Sequence, residues 1–201
     1  MLCSARKRGT EMTRAFAILL SLCAAFAPAH AADTFNPSIP ESVWQRGEDG
    51  SGIHRQSGLR CPVQAGGFRL NGLAPLDNAG LDVACTYDNE TGDGLTLYLT
   101  RQREGQEFGD LLRISLEGII AVDPRAKPLA APLPVIEPGS TTWRGALFGY
   151  DNFTIHNGLW LTSLSGWTLK FRATYETARE QDILAALREL TRIARTTVRG
   201  P

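Results

Sequence analysis

Residues 167–195, WTLKFRATYETAREQDILAALRELTRIAR, decide the fold. Trp167, Leu169, Phe171, Ala173 and Tyr175 alternate with Thr168, Lys170, Arg172 and Thr174. That period of two predicts a strand with one dry face and one wet or partly covered face. The period then lengthens, because Ile183, Leu184, Leu187, Leu190, Ile193 and Ala194 recur at helical spacing. Thr177 and Glu180 spell a T-x-x-E capping box, which predicts a helix over about 177–195. A strand that feeds directly into an amphipathic helix leaves two apolar faces to bury. The rest of the chain is read as supplying their cover.

Just upstream, Trp143 to Tyr150 and Ile155 to Ser163 read as strands, with Asp151 and Asn152 as turn residues between them. Ser165-Gly166 forms a tight turn into the organising strand. Farther back, Leu81, Val83, Cys85 and Tyr87 alternate with polar residues, as do Leu95, Leu97 and Leu99, predicting a hairpin with a long tip at 88–94. Phe68, Leu70 and Leu73 suggest an earlier strand. Phe108, Leu111, Leu112, Ser115, Leu116 and Ile119 predict a helix over about 106–122, weakened by Gly109 and Gly118 at about 1 kcal/mol each. Asp123-Pro124 ends it. Four prolines between 125 and 140 predict an extended strap lying along the domain. Hairpins closed by two helices make an α+β domain built on an antiparallel sheet, spanning about 60–196 behind a poorly structured lead-in at 32–59. Shifting the chain by 72 residues lays Leu95-Thr96-Leu97 on Trp167-Thr168-Leu169 and Asp110-Leu111-Leu112 on Asp182-Ile183-Leu184, a hint of a repeated β-β-α unit.

The first 31 residues read as an address. Arg6, Lys7, Arg8 and Arg14 precede the apolar run Ala15–Ala27, and Ala29-His30-Ala31 offers a small-x-small cleavage pattern, as in a secretory signal peptide. Cys23 follows Leu22, where a lipid-attachment box needs a small residue, so the lipoprotein reading is rejected. The run is too short to span a bilayer. Removing this segment takes away four basic residues and one acid, leaving 17 basic against 20 acidic and a net charge of −3. Nucleic acid is therefore not an expected partner. Arginine outnumbers lysine 18 to 3, a bias of GC-rich bacterial genomes, so the expected compartment is a bacterial periplasm or the medium beyond it. Cys61 and Cys85 then remain as an even pair in an oxidising compartment, which favours a structural disulfide over free thiols.

Groups able to carry chemistry are few. His54 and His156 lack further ligands at helical or strand spacing, so no metal site is expected. No nucleophile elbow, phosphate loop, zinc-protease or dinucleotide motif is present. Residues 88–94 have the acids of a calcium loop without its glycine position or its closing glutamate, and read as a hairpin tip. No catalytic residue and no cofactor is assigned. One surface remains: Tyr98, Trp160, Lys170 and Arg172 are placed on the strand face opposite the leucines, with His156 close by. If a helix leaves that face open, its aromatic and cationic groups suit a partner or an anionic ligand. Arg188, Arg192, Arg195 and Arg199 form a stripe on the last helix, read as a solvated face that suits the helix C-terminus.

Ser57-Gly58-Leu59-Arg60-Cys61-Pro62, Gly67-Phe68, Val83-Ala84-Cys85-Thr86-Tyr87 and residues 166–175 (GWTLKFRATY) resemble a set of uncharacterised secreted proteins from alphaproteobacteria. That resemblance implies export and brings no activity with it. The order of hairpins and closing helix is also similar to the PsbP-like fold, whose members are mostly binding or assembly factors. The leading reading is an exported non-catalytic domain that binds a periplasmic protein or envelope component. The alternative is a periplasmic hydrolase or redox enzyme with a site near His156, using Asp151 and Tyr150. A cleft gathering His156 with a carboxylate and a nucleophile would favour the enzyme.

Overall fold

The computed structural model describes residues 41–140 and 142–201. The expected signal peptide, the first part of the lead-in, Cys3 and Cys23 lie outside the described residues. The chain is α+β. Short strands β1 (Trp44–Arg46), β2 (Gly52–His54) and β3 (Arg60–Cys61) form a small antiparallel sheet. The large sheet contains β4 (Gln64–Ala65), β5 (Phe68–Pro75), β6 (Asp82–Asp88), β7 (Gly94–Arg101), β8 (Lys127–Pro128), β9 (Arg144–Tyr150), β10 (Ile155–Leu164) and β11 (Trp167–Glu176). Its order is β4-β5-β6-β7-β11-β10-β9-β8, antiparallel at every pairing. Helix α1 (Phe108–Val122) follows β7, and α2 (Glu180–Thr197) follows β11.

The organising strand lies at the centre. β11 pairs with β7 on one side and β10 on the other, so Leu97 faces Phe171 and Leu99 faces Leu169 across the first ladder. The odd-numbered residues of β11 point into the larger core with Ile183, Leu184, Leu187 and Leu190 of α2. Full burial of such side chains contributes about 1.5–3 kcal/mol each, which offsets the ordering cost of a terminal helix. Gly66 explains how closely α2 seats. A methyl group there would collide with the backbone of Ala186.

Helix α1 lies on the opposite face. Its Phe108, Leu111, Leu112, Leu116 and Ile119 pack on Phe148, Leu159 and Leu161 of β9 and β10. Only Ile119 of this helix is fully buried, while Ile114 and Val122 remain 54% and 74% exposed. Because the two helices cover opposite faces, helix placement does not follow the 72-residue shift.

Three expectations change. The part of the lead-in from residue 41 onward is not poorly structured: it carries β1 and β2, with Trp44 and Leu59 buried in the larger core. His54 explains the order. It lies between the rings of Trp44 and Trp167 (centroids 5.4 and 5.7 Å), its Nε2 donates to the Gly80 carbonyl (2.9 Å), and Ser57 donates to Nδ1 (2.8 Å). The T-x-x-E box at Thr177 does not cap α2. Thr177–Arg179 form a 3-10 turn, α2 begins at Glu180 without a side-chain cap, and the Thr177 amide donates instead to the Thr154 carbonyl. Arg179, one residue before the helix, is drawn to Asp93 (2.5 and 2.7 Å) at the hairpin tip. The basic stripe is not simply solvated either, since Arg188 donates to the Ile136 and Val135 carbonyls and Arg195 makes two bonds to Glu137. These bonds pin the proline-rich segment across the sheet, with Ile136 buried beneath.

Cys61 and Cys85 are joined by a disulfide with a Cα separation of 6.3 Å. The bridge ties β3 of the small sheet to β6 of the large one. At the hairpin tip, Asp93 is paired with Arg179. Asp93 is only 2% exposed, and although burial raises its pKa, Arg179, Asn89, Thr91 and the Glu176 amide hold it at about 2. No described helix is long and apolar enough to cross a membrane.

Candidate functional site

Strand parity decides which predicted site residues meet. Tyr98 stands opposite Lys170 in the β7–β11 ladder, and Arg172 lies two residues farther along the same face. These three do gather. The Lys170 ammonium lies over the Tyr98 ring, 4.3 Å from its centroid, an attraction between a cation and the negative face of the ring. The other two predicted residues do not join them. Trp160 pairs with Phe171 and His156 with Tyr175, which places both on the α2 face. Trp160 is fully buried in the larger core and its indole N–H donates to the Pro134 carbonyl (2.9 Å). The ring of His156 meets Tyr175 edge-on at 5.8 Å. The two-residue turn at Ser165-Gly166 is the physical reason. It sets Leu164 opposite Trp167, so even positions of β10 share a face with odd positions of β11.

Tyr98, Lys170 and Arg172 occupy the seam where cover by α1 stops. To one side, α1 lies over β9 and β10. To the other, Thr86 and Thr96 of β6 and β7 are partly open to solvent. At the seam a cavity of about 230 Å³ is lined by Tyr98, Lys170, Arg172, Leu159 and Ile114, Ser115, Gly118 and Ile119 of α1. A second cavity of about 280 Å³ continues along α1, with Arg172 common to both. It adds Val122, Asp123, Arg125, Tyr150, Ile155, Asn157 and Thr174.

The electrostatics of this groove are lopsided. Among the described residues, neither Lys170 nor Arg172 has a carboxylate within ion-pair distance. Burial pushes the Lys170 ammonium below its ordinary range, Arg172 adds to that, and Asp82 works against it. Asp82 already accepts from the Thr100 hydroxyl (2.8 Å), and Asp123 is paired with Arg125 (2.7 Å). Arg172 faces the Tyr150 hydroxyl. Asn157 is nearly fully buried; its amide N–H donates to Thr174 (2.9 Å), and its amide oxygen has no partner among the described residues. Asn157 and the α1 residues complete the site without having been expected there, and Tyr150, expected beside His156, lines this groove instead. Their one signal was that Asn157, Leu159 and Leu161 alternate on a single face.

His156 and Tyr150, expected together in the alternative site, lie on opposite faces of the sheet. Tyr150 lines the groove on the α1 face, whereas His156 turns toward Tyr175 on the other face, its Nδ1 unpartnered. The side chain of Asp151 lies outside the described part of the structure. His54 and Ser57 do touch, yet both are fully buried. Among the described residues no three His, Cys, Asp or Glu side chains are placed to share a metal ion. No protein-family model and no curated protein matches the chain.

Proposed function

We propose that this chain is an exported, non-catalytic domain of the alphaproteobacterial type that binds a protein or envelope component in the periplasm. One observation carries the reading: Lys170 and Arg172 share a half-buried groove in which, among the described residues, no carboxylate is paired to either. Holding two like charges two positions apart on one strand face costs free energy, so the arrangement suits a partner that brings the opposite charge. The Cys61–Cys85 bridge is in keeping with export to an oxidising compartment. A repeated β-β-α origin is proposed on register alone, since Tyr98 pairs with its own counterpart at the 72-residue shift, Lys170.

The experiment is photo-crosslinking in the native periplasm, with the photoreactive residue at Ile114 beside the groove and a control at Leu76, which is also exposed. Adducts at Ile114 that are absent at Leu76, and that disappear in the Lys170→Gln, Arg172→Gln double variant, are the expected result. Identical adducts at both positions, or none at Ile114, would overturn the reading.

A further inference from the structure

Resting on the binding reading above, we infer that the groove beneath α1 holds a free, single-chain amphiphile, its carboxylate or phosphate head between Lys170 and Arg172 and its apolar chain along α1. Three independent features lead there. The first is that, among the described residues, no carboxylate lies at ion-pair distance from either cation, although Asp82 acts on Lys170 from farther away. A planar guanidinium and an ammonium on one strand face can share a carboxylate or phosphate, and charge-assisted bonds of this kind are about twice as strong as neutral ones.

The second feature is the wall. Ile114, Ile119 and Val122 of α1 and Leu159 and Ile155 of the sheet line the cavities that contain the cations. Ile119 and Leu159 are already buried, but a bare inorganic anion would leave the exposed faces of Ile114 and Val122 wet. A polar peptide would gain little from them, whereas an alkyl chain buries them at about 25 cal/mol per Å². Only together do the two adjoining cavities, of about 230 and 280 Å³, reach the range of small-molecule sites, which are mostly apolar with a few fixed polar groups.

The third feature is the helix itself. Gly109 and Gly118 lower its intrinsic stability, and Ile119 is its one fully buried residue. A wall so lightly anchored can shift outward to admit a chain without disturbing the larger core under α2.

The test is calorimetric titration of the purified mature chain with monomeric decanoate, decyl phosphate, decanol and inorganic phosphate, and with phosphatidylglycerol vesicles. Decanoate and decyl phosphate are expected to bind at least tenfold more tightly than either decanol or inorganic phosphate. Lys170→Gln with Arg172→Gln should remove that preference for the charged head. Ile114→Asp, on an exposed position, should weaken both amphiphiles tenfold and leave thermal unfolding unchanged, which covers the case of a misfolded double variant. Equal binding of decanol and decanoate, an unaffected Ile114→Asp variant, or binding to vesicles alone would each overturn the inference. Should no amphiphile bind while the Ile114 crosslink to a protein persists, this inference fails and the broader binding reading stands.

Discussion

At the scale of single residues, His54 is a buried polar group whose partners are all within the fold. It is completely buried between two tryptophans, with both ring nitrogens engaged. Burial lowers its pKa below the ordinary 6.5, outweighing the Gly80 carbonyl and the more distant Asp77, which both favour the charged form. The unfolded chain therefore takes up a proton before the folded one does. Stability contributed by neutral His54 is complete above about pH 6.5 and is lost as the pH falls from there toward the folded value. Urea unfolding between pH 8 and 5 should show this loss, at a slope of at most about 1.4 kcal/mol per pH unit. His54→Gln should be less stable at pH 8 and should lack that part of the slope. An unchanged slope in the variant would remove His54 from the account.

At the scale of elements, the two helices differ in what holds them. α2 was legible because Ile183, Leu184, Leu187 and Leu190 form one unbroken stripe, and all four are buried. Its start was misread because capping is decided by tertiary partners. Arg179 is claimed by Asp93, 86 positions away, and no local pattern records such a contact. α1 was legible from its period, although its shallow seating was not. Gly109 has nothing within 4 Å of where a methyl would stand, so Gly109→Ala should stabilise the chain by about 1 kcal/mol. Gly66 has a φ of +51° and lies against Ala186, so Gly66→Ala should destabilise by more than 2 kcal/mol through strain and displacement of α2. Thermal unfolding of the two variants should move in opposite directions, and a shift in the same direction would contradict this packing. The candidate site shows a parallel division. Alternation within and across two strands places Tyr98, Lys170 and Arg172 on one face. Trp160 and His156 were misassigned, although the two-residue turn at Ser165-Gly166 already fixes their parity relative to β11. Ser165 and Gly166 have φ values of 50° and 78°, the left-handed pair that such a turn requires.

At the scale of the whole molecule, the disulfide and the His54 cluster do similar work by different means. Each fastens the small sheet of β1, β2 and β3 to the large one; the even cysteine pair made the disulfide legible, whereas the His54 cluster was out of reach of periodicity because those strands are only two or three residues long. A bridge spanning 24 positions should contribute about 3 kcal/mol by restricting the unfolded chain. Urea unfolding of Cys61→Ala, Cys85→Ala against the oxidised protein should register a loss of that order, and equal midpoints would refute it. The sheet order explains why the candidate site lies where it does. The last strand of each half meets the other at β7–β11, α1 covers only the second half of one face, and the cations fall on the boundary. The most direct check is nuclear magnetic resonance of the Lys170 and Arg172 side chains while monomeric decanoate is added. The account predicts that both resonances shift and saturate together with those of Ile114. Side chains that do not respond, or a response confined to Arg69 and the hairpin tip on the far side of the sheet order, would contradict it.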